Sequence, residues 1–430
     1  MSDSGAEKFE KLFGPEFGHG KPFDLGRLRT ALEALGSPQL KLPPIVHVAG
    51  TNGKGSTIAF MRTLAWGMKL KVHSFVTPHL FELRERFEVA PKIAAEQDEL
   101  IAIAEEIARV DSSLTHFDAQ VAAAFLLFSR APADIVLLEA GMGGRDDSTN
   151  VITNPSATVI TPIGLDHVDV LGPTLADIAR HKAGILKSGV PAIVARQTPE
   201  VSEIIEAEAE RIGAPLFRCG VEWDVFDQSG RLVFQATDRL VEFSRPALPG
   251  RHQIENAGLA IAALHAMNML PNSLERELSS ALSNTFFLGR LSRLRGGKLS
   301  TRIEDEGGAV WVDAGHNAHA AAALAQWIEA TRAFSGATVA IIGMRARKDA
   351  DTFLATLGPY VDKVITVPLS EAHVPPKELA ERARKLGLKA SAAPSLRHAM
   401  KEAARFPEPL VLICGSFLLA AEMCKAEYAD

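Results

Sequence analysis

Residues 46–60 read VHVAGTNGKGSTIAF: an apolar run, then glycines at 50, 53 and 55 with a lysine and hydroxyl side chains among them, then a second apolar run. The pattern is that of a strand, a turn and the start of a helix. Glycines let successive backbone N–H groups point inward as a concavity for an anion, the following helix adds its positive end, and Lys54 adds a full charge. Together they suit a polyphosphate, and a hydroxyl at Ser56 or Thr57 is a normal magnesium ligand beside one. The strict phosphate-loop pattern G-x-x-x-x-G-K-[ST] is not met, because Val48 stands where the first glycine belongs and Gly55 follows the lysine.

On both sides of this turn, short runs rich in Val and Ile alternate with longer Ala- and Leu-rich segments of helical period. Strands are expected at 45–49, 72–76, 135–138, 157–161 and 192–195, and helices at 57–68, 94–109, 119–130 and 176–185. Such alternation specifies an α/β domain with a parallel sheet covered on both faces. Residues 215–243 change to shorter alternating pieces with a turn at Gln228-Ser229-Gly230, which predicts a small antiparallel hairpin insertion. A helix is expected from 253 to 266.

The basic stretch RLSRLRGGKLST (290–301) has no sustained period and is read as a link. After it the alternation restarts, with strands expected at 309–312, 337–342, 363–367 and 410–414 and helices at 318–333, 350–357, 376–386 and 396–404. The expectation is a phosphate-loop ATP-binding domain over 1–296 and a smaller Rossmann-like α/β domain over 297–430.

The chain of 430 residues is 47% apolar, enough for large cores in two domains. Its net charge of −6 offers no general attraction for nucleic acid or an anionic membrane. The start, MSDSGAEKFEKLF, is polar and acidic, and the longest wholly apolar stretch, 121–128, is too short to span a bilayer. A cytoplasmic protein is expected. Cys219, Cys414 and Cys424 have neither zinc-like nor disulfide-framework spacing and read as core thiols.

In open α/β sheets a ligand lies outside the carboxyl ends of the strands. Polar residues collect there. Thr77 and His79 follow the second strand, Glu139 closes DIVLLE before the glycine-rich loop at 141–145, and Asp166 and His167 follow the strand near 161. Taken singly, Glu139 could be a loop salt-bridge partner and His167 a satisfied loop histidine. Taken jointly, an acid facing a phosphate loop calls for a cation between the two negative groups, and magnesium is the simplest.

The motifs GTNGKGS (50–56), TPHLFELRER (77–86), LLEAGMGGRDDSTN (137–150), LDHVDVLG (165–172), HKAGI (181–185), HQIENA (252–257), DAGHNAHA (313–320) and CGS (414–416) occur in this order. Together they resemble the folylpolyglutamate synthase family of the Mur ligase superfamily, including its bifunctional dihydrofolate synthases, from residue 24 to residue 417. The resemblance implies that Thr51, Asn52, Gly53, Lys54, Gly55 and Ser56 contact ATP, with Asn256 at the adenine and Arg290 and Asp313 reaching the nucleotide.

It implies two magnesium ions among Ser56, Thr77, Glu139, His167 and Lys182, with Lys182 carried as a carbamate. His316 and Ser416 would grip the incoming glutamate. The pterin would lie near Gly26, Arg29, Thr77, His79, Thr115, Phe117, Asp118, Asp146, Asp147 and Ser148. Five departures stand out: Thr77 replaces serine, Thr115-His116-Phe117-Asp118 replaces a Phe-Phe-Glu segment, Leu288-Gly289-Arg290 lacks the usual proline, Ala318 replaces the proline of a His-Asn-Pro motif, and Arg347 replaces an acid before Lys348-Asp349.

The chemistry expected is amide formation. A carboxylate is a poor electrophile, so transfer of the γ-phosphoryl group makes an acyl phosphate that an amine can attack. Both steps crowd negative oxygens, which Lys54, the metals and Arg290 would neutralise, with Lys182 and His167 completing the catalytic set. The expected partners are ATP, L-glutamate and dihydropteroate or a reduced folate, acting on a monomer with no nucleic acid or membrane. Two alternatives stand beside this reading: a Mur-type ligase acting on a peptidoglycan precursor, for which the sequence before residue 45 leaves no nucleotide-binding domain, and an ATP-hydrolysing switch or binding module.

Overall fold

The central run of the first sheet is apolar on both faces, and this decides its layers. In the computed structural model, which describes residues 4–15, 24–332 and 336–428, β1 (Ile45–Ala49), β2 (Val72–Phe75), β3 (Phe87–Glu88), β4 (Ile135–Glu139), β5 (Ala157–Ile160), β6 (Ala192–Val194) and β7 (Leu216–Arg218) form one sheet ordered β3-β2-β4-β1-β5-β6-β7. Every neighbouring pair is parallel except β2 with β3. Every residue of β1 and β4 is buried, as a strand covered by helices on both faces must be.

Helices Gln97–Asp111 and His116–Arg130 bury Leu100, Ile103, Val121 and Phe125 with Ile45, Val136 and Leu138 in one core. Helices Leu175–Ala183 and Pro199–Ile212 bury Ile178, Val201 and Ile205 with Ile160 and Val194 in another. The connection from β1 runs to β2 on one side and that from β4 runs to β5 on the other. The crevice beyond the ends of adjacent β1 and β4 is therefore the switch point where such sheets bind ligands.

The insertion differs from the expected hairpin. Leu216–Arg218 pairs parallel to β6 and closes the main sheet. The insertion proper is three antiparallel strands, β8 (Trp223–Gln228), β9 (Arg231–Ala236) and β10 (Arg239–Ser244). Its first turn is the expected one: Ser229 and Gly230 both have positive φ (53° and 79°), as a two-residue hairpin turn requires.

The chain divides into two compact units. One holds residues up to Ile163, His167–Ala247 and Ile254–Thr285, and the other holds Gly164–Asp166, Leu248–Gln253 and Phe286 onward. In the second, β11 (Ser292–Leu294), β12 (Ala309–Val312), β13 (Thr338–Ile342), β14 (Lys363–Thr366), β15 (Ala390–Ala392) and β16 (Leu410–Cys414) are ordered β11-β12-β16-β13-β14-β15, parallel apart from β11. The stretch read as a link thus supplies an edge strand. The helix expected at 318–333 is Ala318–Thr331, and residue 333 lies outside the described residues.

Helices Leu25–Ala34, Pro199–Ile212 and Phe417–Tyr428 had no counterpart in the sequence reading. Cys414 and Cys424 are buried as expected, whereas Cys219 is only partly so and its thiol sits 3.6 Å from Asp224 Oδ1. Among the described residues no helix is long and apolar enough to cross a membrane.

Candidate active site

The turn after β1 is held open by glycine. Gly50 has φ 147°, and a Cβ there would stand 1.8 Å from Thr161 Oγ1; Gly53 has φ 92°, and its Cβ would stand 2.4 Å from Asn256 Oδ1. Thr51 and Asn52 donate their N–H groups to Pro162 O at 3.0 and 3.3 Å, which pins the loop to the end of β5. Helix Lys54–Gly67 then starts with no side chain capping it. Its first-turn N–H groups form the positive end that an anion uses.

Lys54 Nζ donates to Gly50 O (3.2 Å) and Thr51 O (3.4 Å) and lies 3.8 Å from Glu139 Oε1. Glu139, the last residue of β4 and 3% exposed, accepts from Thr77 N at 3.1 Å. Lys182, buried near the end of helix Leu175–Ala183, donates to Gly50 O at 2.7 Å. The sequence-predicted Lys54, Thr77, Glu139 and Lys182 thus meet around one loop, and Gly55 and Ser56 are buried in the first turn beside it. Asn256 joins them from helix Arg251–Ala266. His167 takes left-handed backbone (φ 51°) at the head of helix Val168–Leu171, past β5, which lies two places from β4.

Among the described residues no three His, Cys, Asp or Glu side chains gather as metal ligands. The oxygens at hand are the Glu139 carboxylate and the Ser56 and Thr77 hydroxyls, hard donors that fit magnesium or manganese completed by phosphate oxygens and water.

Beside this loop lies a hydrogen-bonded acidic wall. Thr115 and Asp118 form a capping box at the start of helix His116–Arg130, and the second oxygen of Asp118 accepts from Ser148 Oγ at 2.6 Å. Asp147 is wholly buried and accepts from Met142 N (2.7 Å), Thr149 N (3.0 Å) and Thr149 Oγ1 (2.5 Å). Burial pushes its carboxyl above the usual range, while these donors and the Lys54 charge pull it back. Asp146 faces His181 at 3.6 Å. Phe117 packs against Gly141, where any Cβ would come within 2.4 Å of the ring. Gly26 and Arg29 are exposed on helix Leu25–Ala34, which Asp24 caps.

Several neighbours escaped the sequence reading. Arg86 is 1% exposed and donates to His79 Nδ1 (2.9 Å) and Gln120 Oε1 (2.7 Å), so it orients the loop that begins at Thr77. The Thr149 hydroxyl donates to Asp147 and accepts from His47 Nε2 at 2.8 Å, leaving His47 Nδ1 a bare buried acceptor. Burial, then the charge of Lys187, pushes the His47 imidazole down to about 3. Lys187 donates to Asn150 Oδ1 at 2.7 Å, and burial followed by the Arg29 charge lowers it to about 8. The contacts of His47 with Thr149, of Arg86 with Gln120 and of Lys187 with Asn150 join residues far apart in sequence.

The second unit carries its own cluster. Asp313 closes on the turn after β12, accepting from Leu291 N (2.8 Å) and Gly315 N (2.7 Å). The Arg290 guanidinium lies over the rings of Phe287 and Phe417, 5.0 and 4.7 Å from their centroids. His316 Nε2 is 3.3 Å from Asp166 Oδ2, Asn317 Nδ2 donates to the same oxygen at 3.0 Å, and Lys348 pairs with Asp166 Oδ1. Burial pulls Lys348 below the ordinary lysine value while Asp166 opposes it. Ser416 is buried, its Oγ accepting from Leu418 N at 3.1 Å. Two strand-end acids, Asp313 and Asp166, thus organise the cations and amides of this unit.

Two family models match the chain: the Mur ligase middle domain over residues 48–264 and the Mur ligase glutamate ligase domain over residues 300–417. The Escherichia coli (strain K12) dihydrofolate synthase/folylpolyglutamate synthase is 35% identical over 409 residues, covering 94% of this chain and 92% of that one. The structure of E. coli FolC in complex with DHPP and ADP matches with a TM-score of 0.85 at 31% identity, over 98% of this chain and 96% of that chain. A bifunctional folylpolyglutamate synthase/dihydrofolate synthase with Mn, AMPPNP and L-glutamate bound matches with a TM-score of 0.83 at 30% identity, over 95% of each chain. The chain belongs to the dihydrofolate synthase/folylpolyglutamate synthase family of Mur ligases and is an ATP-dependent, amide-forming ligase.

Proposed function

We propose that this enzyme joins L-glutamate to dihydropteroate, to reduced folates, or to both, with ATP converted to ADP and phosphate. One observation carries the reading: Lys54, Glu139 and Lys182 converge on the Gly50–Lys54 turn at the switch point between β1 and β4. Relatives of the same fold hold ADP with DHPP, and manganese with AMPPNP and L-glutamate, which supports the substrate assignment.

In the first step a substrate carboxylate oxygen attacks the γ-phosphorus, the bond to the β,γ-bridging oxygen breaks, and ADP leaves. In the second the glutamate amine attacks the acyl carbon, loses a proton, and inorganic phosphate departs with the C–O bond electrons. The residues at the loop position groups and offset charge. The open first turn of helix Lys54–Gly67 and the loop N–H groups would cradle the phosphates, and Lys54, already held at the turn, would offset the charge that develops on the γ-phosphoryl oxygens. Arg290, held between two rings, offers a second cation with a fixed orientation.

Ser56, Thr77 and Glu139 would hold magnesium, which when bound screens the phosphate charges from one another. His167 is assigned as a further ligand. A carbamate on Lys182 would replace its ammonium by an anion able to bridge metals. The first unit is assigned ATP and the pterin, the latter beside Gly26, Arg29, His79, Thr115, Phe117 and the Asp146–Ser148 wall. The second unit is assigned glutamate, through His316 and Ser416, with Asp313 directed to the nucleotide.

The test measures ADP formation with ATP and magnesium while the pterin and glutamate are omitted in turn. Each omission should abolish turnover. Hydrolysis indifferent to both would identify an ATP-driven switch instead.

A further inference from the structure

The first unit contains a cavity beside the loop that none of this chemistry uses. Left-handed backbone at His167 and at Gly172 (φ 51° and 100°) bounds the short helix Val168–Leu171. A Cβ at Gly172 would lie 2.6 Å from Asp177 Cβ, so glycine lets the two short segments close on each other. Thr174 and Asp177 then cap helix Leu175–Ala183. The glycine-rich loop docks on that helix: Arg145 N donates to His181 O at 2.7 Å and Arg145 Nη2 to Arg180 O at 3.2 Å. Beside them an open cavity of about 450 Å³ is lined by Val170, Leu171 and Pro173 and by Arg145, Arg180 and His181.

We infer that this cavity is a subsite for the γ-linked glutamyl tail of a folate already elongated, an inference that rests on the proposed function. The chemistry of the wall matches such a tail. Each γ-linked unit repeats two methylenes and a free α-carboxylate. Apolar Val170, Leu171 and Pro173 suit the methylenes, and two guanidinium forks suit the carboxylates. Asp177 is the acid of this wall: it accepts from Thr174 Oγ1 at 2.6 Å and pairs with Arg180 at 3.3 Å, so a tail carboxylate shares Arg180 with it and meets Arg145 as the further cation. The wall keeps a cationic excess in a chain whose net charge is −6.

The placement matches too. Arg145 immediately precedes Asp146 of the acidic wall, and His181 immediately precedes Lys182, whose Nζ reaches Gly50 O. A chain-extending ligase must hold the terminal carboxylate at the phosphate loop and give the earlier glutamates somewhere to lie. The volume is of the size that small-ligand sites have.

The experiment compares mono- and triglutamyl tetrahydrofolate as substrates for the wild type, Arg145→Gln, Arg180→Gln and the double variant. Loss of a charge-assisted bond should raise KM for the triglutamate about tenfold or more per arginine, with KM for the monoglutamate within about twofold. The longest product should shorten. Equal changes for both substrates, complete loss of turnover included, would overturn the subsite. So would a wild type that glutamylates dihydropteroate yet refuses the triglutamate, a result that leaves the ligase reading standing. ADP release independent of pterin and glutamate would instead remove the ligase reading and this subsite with it.

Discussion

Lys54 shows how much of the site depends on single charges. Its ammonium bonds two loop carbonyls and faces a buried carboxylate at 3.8 Å, so it is poised at the turn before any phosphate arrives. Charge developing on phosphoryl oxygens is stabilised most by groups already oriented, because no reorganisation is then needed at the moment of reaction. Lys54→Ala should lower kcat/KM on the order of a thousandfold, about 4 kcal/mol of transition-state stabilisation. Initial-rate assays check this, and near-normal turnover would remove Lys54 from the mechanism.

At the scale of elements, the acidic wall is braced by one short 3-10 turn, Ser148–Val151, which Asp147 caps and which His47 fastens to β1 through Thr149. The imidazole sits at about 3 in the fold against 6.5 when free, because burial and Lys187 oppose its charge. The unfolded chain therefore binds more protons between those values, so the stability that depends on neutral His47 is complete above pH 6.5 and is lost as pH falls toward 3. The slope from this one group is at most about 1.4 kcal/mol per pH unit. His47→Gln removes the titration, so urea midpoints of the variant should fall less steeply than those of the wild type from pH 7 to pH 4. Parallel curves would show that His47 is not responsible.

For the whole molecule, two units with separate cores carry separate stabilities. Residues such as Phe125, Leu138 and Ile178 are buried in the first, and Ile328, Phe353 and Leu412 in the second. Calorimetry should resolve more than one transition, and ADP with magnesium should raise the one in which amides of the first unit lose hydrogen-exchange protection. A single two-state transition, with calorimetric and van't Hoff enthalpies equal, would contradict this.

What could be read directly from the chain is what depends on local pattern. The buried apolar strands β1 and β16 fall where they were expected, because strands covered on both faces are continuous apolar runs. The glycine turn after β1, with Thr77 and Glu139 at the ends of neighbouring strands, followed from the same pattern. Short edge strands did not: β15 is Ala-Ser-Ala and carries no periodic signal. Nor could the chain alone show that Asp166 pairs with Lys348, that Arg86 fixes His79, or that His47 holds Thr149. Those pairs join residues on different elements, and only the tertiary fold, by burying their polar atoms away from water, requires each to find a partner.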